Sequence, residues 1–218
     1  PSNAQISKGK KLFQQQEFRA ALEAFKDDLE RPTNQPIALA GIARIYADSR
    51  YPGKDLSQAY MFASRALREY QQLSSADKKN VQNRGESQVS LSKLQSDFLQ
   101  RGYQNALDIH TLDVYNSFLK SFETASAAQR KEITIKRDAI AYQNAKAINT
   151  YDAMKTLWDN CGSSMELYSS KSYKQLQKDL LGCYVAENGW QLYPRIETLY
   201  PNNLYVRDND KAYEFLTA

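Results

Sequence analysis

The chain has 218 residues, 42% of them hydrophobic and 25% charged, with 8 Gly and 6 Pro, a composition that excludes a disordered or low-complexity polypeptide. Its net charge of +4 is spread without a long basic run, which argues against a nucleic-acid-binding protein. No stretch approaches the roughly 18 apolar residues needed to span a bilayer.

Ser2-Asn3-Ala4 reads as the remnant of an expression tag, so residues 1–4 are set aside and the lack of a signal peptide is no argument for the cytoplasm. The next segment, Gly9 to Phe25 (GKKLFQQQEFRAALEAF), is followed by Pro32 and predicts a helical hairpin. Gly9 and Ala21 allow two helices to approach closely, while Leu12, Phe13, Phe18, Leu22 and Phe25 fill the space between them. Gly9, Leu12, Ala21 and Phe25 stand where the tetratricopeptide (TPR) pattern wants Gly, an apolar residue, Ala and Phe, so this unit resembles a TPR repeat. It departs from the pattern at Lys8, where Leu is usual, and in a proline one place early.

A second hairpin is predicted from Pro36 to about Leu73. Ile37, Leu39, Ala40, Ile42, Ala43 and Tyr46 form one stripe, and Ala59, Phe62, Ala63, Ala66 and Leu67 form another. Pro52 and Gly53 break the chain between them. This stretch resembles the Sel-like relative of the TPR, whose inter-helix loop is a few residues longer. Residues 5–74 thus read as two TPR/Sel-like hairpins. Residues 75–86 (SADKKNVQNRGE) are polar and read as a linker or a short helix, with the main boundary of the chain placed there.

Residues 87–218 carry an internal repeat. Tyr103 to Thr111 (YQNALDIHT) returns 39 residues later as Tyr142 to Thr150 (YQNAKAINT), identical at six of nine positions. Such a period marks an array in which each unit buries its apolar face against its neighbours. Long helices are expected at Ser87–Ile109, Ala127–Ile148 and Leu167–Glu187, and shorter ones at Leu112–Phe122, Tyr151–Asn160 and Trp190–Tyr200. Thr111 and Thr150 are suitable N-caps, with Asp113 and Asp152 two residues on to complement the helix dipole. Asn188-Gly189 supplies the third junction by spacing alone. After Pro201 a turn and a capping helix, Asp210 to Leu216, are expected.

Chemistry is scarce. The single histidine, His110, holds the place of Asn149 in the next copy and reads as a hydrogen-bonding turn residue rather than a catalyst. With one His there is no two-His metal site, and no Gly-rich phosphate loop, CxxC pair or HExxH string occurs. Arg207 to Asp210 lacks the glycine and distal Glu of a calcium loop. Carboxylates such as Asp27-Asp28 and Glu17 with Glu23 have surface-face spacing, and the Arg130, Lys131, Lys136 and Arg137 cluster is a solvated helix face with Glu132 among it. Cys161, at the expected end of one helix, and Cys183, about 27 Å along the next, are too far apart for a disulfide and read as buried small apolar residues. No catalytic residue, cofactor or metal is expected.

Tyrosine occurs 15 times. Tyr favours interfaces, and in helical repeats it also serves as a knob between helices. Tyr103 and Tyr142 read as knobs. Asn105 and Asn144 either grip an extended peptide backbone or make interhelical hydrogen bonds that fix the junctions. These four are the candidate partner-binding residues.

The sequence therefore predicts an all-α, right-handed α-α superhelix of helical hairpins. Its expected function is that of a non-catalytic scaffold taking a peptide or partner domain on its concave face. The YQNA…NT and short-helix pattern from Tyr103 to Tyr200 also resembles the helical repeat regions of Bacteroidota envelope proteins, some of which precede a peptidoglycan-binding, OmpA-like domain. That resemblance implies a periplasmic or outer-membrane-associated origin. It also implies an alternative role as a glycan- or peptidoglycan-binding module, with Trp158, Trp190 and Tyr193 as stacking surfaces, or as a spacer.

Overall fold

The computed structural model describes the backbone of residues 2–188 and the side chains of residues 6–187, and these form ten helices with no strand among the described residues. They are α1 Ser2–Gln14, α2 Phe18–Lys26, α3 Gln35–Ala47, α4 Leu56–Gln72, α5 Ser75–Asn83, α6 Gln88–Ile109, α7 Leu112–Ser121, α8 Ala127–Ile148, α9 Tyr151–Tyr168 and α10 Ser170–Asn188. The expected helix Trp190–Tyr200, the turn after Pro201 and the capping helix Asp210–Leu216 lie outside the described residues. The chain divides into two compact units, residues 1–109 with 116–126, and residues 110–115 with 127–218.

The first unit is organised around α3. Pro36 at its first turn needs no intrahelical partner, and nearly every side chain from Ile37 to Ala43 is buried. Neighbours α1, α2, α4 and α6 all pack on it. A ring of aromatic contacts surrounds one end, with Tyr46 stacked on Phe62 at 5.6 Å and edge-on to Tyr51 at 5.8 Å. The closest packing is at Phe25. A Cβ on Gly9 would lie 2.8 Å from that ring, and one on Gly41 would lie 2.5 Å from it. The ring is therefore held between α1 and α3 at a separation only glycine permits. The same device recurs where Gly102 of α6 meets Phe122, with a Cβ at 2.3 Å.

Helix ends follow local chemistry. Asp55 caps α4 by accepting from the Ser57 and Gln58 amides at 2.8 and 3.1 Å. The polar stretch 75–86 supplies α5, capped by Ser74, and Gly85 beyond it takes φ 97°. Glu86 closes the stretch, buried, at 2.6 Å from Arg44 of α3 and accepting from Ser90 of α6 at 2.9 Å. This stretch is built into the first unit, and α6 packs on α3 and α4 there. Tyr60 of α4 reaches the segment after α7, donating to Thr124 Oγ1 at 2.9 Å and accepting from its amide at 3.0 Å.

In the second unit α9 packs between α8 and α10. Its core is Met154, Leu157, Cys161, Met165, Leu176, Leu180 and Tyr184, with Ala141 and Trp158 packed against it. One expectation fails here. The short helix read as Tyr151–Asn160 continues to Tyr168, and the next begins at Ser170 rather than near Leu167. Cys161-Gly-Ser-Ser looks like a break, but α9 runs through it, packed between α8 and α10 and tied to α8 where the Ser164 hydroxyl donates to Asp138. Both cysteines are free and buried.

The repeated junctions share one backbone conformation. His110 and Asn149, the residues that follow α6 and α8, take φ 53° and 54°. This left-handed cap favours Gly and tolerates Asn and His above other residues. Thr150 then accepts from the Ala153 amide at 3.3 Å to begin α9.

Replacing a mid-helix glycine by alanine ordinarily stabilises a helix by about 0.5–1 kcal/mol. At Gly41 the buried Phe25 ring reverses that sign, and Gly41→Ala should destabilise by about 1–3 kcal/mol. Adding Phe25→Leu should cost less than the sum of the two single changes. Urea unfolding of the two single variants and the double measures both effects, and a Gly41→Ala protein more stable than wild type would refute the contact.

Candidate functional site

In the second unit, α8, the end of α9 and the start of α10 enclose a groove of about 280 Å³. Helix α8 contributes Ile135, Asp138, Ala139, Tyr142 and Gln143, a spacing of three, one, three and one that keeps all five on one face. The end of α9 contributes Ser164, Met165 and Tyr168, and Ser169, Ser172 and Gln175 close the far side. Ile135 and Tyr168 are each 37% exposed, large apolar side chains open to solvent at the mouth. Lys131 sits 5.7 Å from the Tyr168 ring centre, where its charge meets the negative ring face.

Two polar assemblies frame the groove. Asp138, only 4% exposed, accepts from Arg137 Nε and Nη2 at 2.8 and 2.6 Å and from Ser164 Oγ at 2.5 Å. Both carboxylate oxygens are therefore satisfied and the charge is paired, so the assembly ties α8 to α9. At the other end the Tyr142 hydroxyl donates to Asp179, with Lys146 Nζ 3.6 Å from the same carboxylate. Burial pushes the Tyr142 phenol up, and its bond to Asp179 pushes it further. Cys161 is pushed up to about 11, first by burial and then by the nearby Asp138 charge, so the thiol is neutral at ordinary pH.

The four residues singled out in sequence occupy different surroundings. Tyr142 lines the groove. Asn144 is exposed and does not line it. Tyr103, in the first unit, is half-buried with its ring 5.9 Å from Phe118, and Asn105 is exposed on α6. The groove residues Ile135, Met165 and Tyr168 escaped sequence reasoning. Their spacing was a usable signal, but the helix break expected before Met165 removed Met165 and Tyr168 from the same surface.

The remaining chemical candidates have structural surroundings. His110 is exposed, and its Nδ1 shares a 2.5 Å hydrogen bond with the buried Tyr115 hydroxyl. Burial raises the Tyr115 phenol, which keeps that hydroxyl protonated. Trp158 is half-buried and stacks on Tyr173 at 5.3 Å, while Trp190 and Tyr193 lie outside the described residues. Among the described residues no group of His, Cys, Asp and Glu is placed to hold a metal ion, and no helix is long and apolar enough to cross a membrane.

Two outcomes test this geometry. Arg137→Met leaves the Asp138 carboxylate buried without its cation and should destabilise the fold by about 3 kcal/mol, while Arg137→Met with Asp138→Asn should recover much of it, as read from urea midpoints. The raised Cys161 value means that stability from the neutral thiol is fully present below pH 9 and is lost as pH rises towards 11. The unfolding free energy of wild type relative to Cys161→Ala should fall across that window, and native thiol labelling at pH 8 should be slow until denaturant is added.

No family model, no curated protein and no solved structure matches this chain.

Proposed function

We propose that the chain is a non-catalytic protein-interaction scaffold, and that the groove beside Tyr142 takes an apolar side chain of an extended or helical peptide. The observation that carries this reading is the exposure of Ile135 and Tyr168 at the mouth of a preformed concavity whose buried charges are already paired. Ligand grooves are largely apolar with a few polar groups that orient the guest, and Gln143, Gln175 and Ser172 are placed to do so.

The reading of the helices as a TPR-like, right-handed superhelix belongs to the same proposal. It rests on the TPR-like positions in the sequence, two of which, Gly9 and Phe25, are in direct contact. An origin in the bacterial envelope is proposed on the resemblance of Tyr103 to Tyr200 alone. The glycan-binding alternative has a partly exposed aromatic pair, Trp158 on Tyr173, as its stacking surface.

The test is selection of peptides from a displayed random library on the immobilised chain, followed by titration of the best peptide. Ile135→Asp should weaken its binding by about tenfold or more, because a desolvated carboxylate opposes apolar contact, with little change in unfolding midpoint. Undiminished binding by Ile135→Asp, or a library that yields no specific peptide, would overturn the assignment. Retention of peptidoglycan fragments in a manner abolished by Trp158→Ala would favour the alternative.

A further inference from the structure

The first unit has a second concavity of opposite character. It opens between the end of α3 and the middle of α6, has a volume of about 430 Å³, and is lined by Arg44, Asp48, Arg50, Leu94, Phe98 and Arg101. Three arginines line one small space, and what neutralises them is incomplete. Arg44 contacts the buried Glu86 through Nη1 at 2.6 Å. Arg50 donates Nε and Nη2 to Asp48 at 2.9 and 2.7 Å. Arg101 donates Nη2 to the Ala47 carbonyl at 2.7 Å and lies over the Phe98 ring, 5.6 Å from its centre. The partner of Arg101 is a neutral carbonyl, so three cations face two carboxylates. Each guanidinium carries five N–H donors and retains several unspoken for. Hydrogen bonding from Arg50 holds the Asp48 carboxyl below its ordinary range despite some desolvation, with Arg101 adding to the effect, so Asp48 stays ionised.

We propose that this pocket recognises a carboxylate side chain of an acidic peptide segment, with an adjacent apolar side chain of that segment resting on Leu94. The excess of one positive charge and the free planar donors suit a carboxylate, which guanidinium groups bind in bidentate fashion. The ionised Asp48 in the lining repels a doubly charged phosphate more than a single carboxylate, which selects the peptide source. The proposal rests on the reading of the chain as a peptide-binding scaffold only for the kind of partner, since it uses other residues in the other unit.

The test is a titration of the isotope-labelled full chain, followed at the arginine Nε–H signals and backbone amides. The probe is the blocked peptide acetyl-Gly-Asp-Leu-Glu-Leu-Asp-Gly-amide, compared with its Asn/Gln counterpart and with inorganic phosphate. Saturable shifts at Arg44, Arg50 and Arg101 are expected with the acidic peptide only, weakening as salt rises. Arg101→Gln should weaken binding about tenfold and Arg101→Lys less, each with an unfolding midpoint near that of wild type. Absence of saturable shifts, equal binding of the amide peptide, phosphate binding as tight as the acidic peptide, or an unaffected Arg101→Gln would each overturn the proposal. Shifts at Ile135 and Met165 report the other groove separately, so failure of one site is distinguishable from failure of the other.

Discussion

The contact of the Phe25 ring with the bare α-carbons of Gly9 and Gly41 sets the architecture of the first unit. A fully buried aromatic ring brings a large apolar area out of water, but its thickness would hold the flanking helices apart. Glycine on both sides removes that obstacle, and α1 and α3 close on the same ring. Once α3 is fixed at that depth, its remaining faces must be covered, and α2, α4 and α6 cover them. The helix lies so deep that it presents Ala38, Leu39, Ala40 and Ala43 without a polar face. The cost of two mid-helix glycines is local. Its return is an interior in which a central helix buries every residue from Pro36 to Ala43.

Buried carboxylates in both units sit in hydrogen-bonded sets. Glu86 is held by Arg44 and Ser90, and Asp138 by Arg137 and Ser164. Asp28 accepts from Asn34 at 2.7 Å, and Asn34 in turn accepts from Arg84 at 2.8 Å. Such sets contribute little net stability, since desolvation offsets attraction, but a wrong pairing leaves a buried charge exposed to its full penalty. They therefore act as registration marks between helices. The Asp28 set is less complete: Asp28 Oδ2 and Arg84 Nη2 are both buried without a hydrogen-bond partner. Burial accordingly holds the Arg84 guanidinium below its ordinary range, against the opposing pull of Asp28. Both concavities lie beside closed sets, which explains how polar side chains near them keep fixed positions without a ligand.

Much of the helical layout was legible in the sequence because it depends on local rules. The bounds of α8 follow from the 39-residue repeat and from the Asn149-Thr150 junction, where one residue takes a left-handed turn and the next caps a helix. His110 was readable as a turn residue for the same reason. What escaped was tertiary in origin. Gly162 and two serines look like a break, yet α9 runs through them, packed on α8 and α10 and tied to α8 by the Ser164 hydrogen bond. Gly102 carried no local signal either, since its role is defined by Phe122, a neighbour in space. Tyr60 and Tyr70 were not in the apolar stripe read for α4, although both are 2% exposed, because a tyrosine is buried only where its hydroxyl finds a partner.

The Gly102 and Phe122 contact has a counterpart 39 residues on that bears on how the array diverged. There the residues are Ala141 and Cys161, both in the core of the second unit, the first larger by a methyl group and the second a thiol in place of a ring. One methyl does not replace a ring, so the two sites close differently, with Cys161 in the middle of α9 where Phe122 follows the end of α7. A helix transplanted from one copy into the other would bring either a methyl against a ring or a void opposite a glycine. Exchange of segments between these copies would therefore cost packing in both, although they share a junction string.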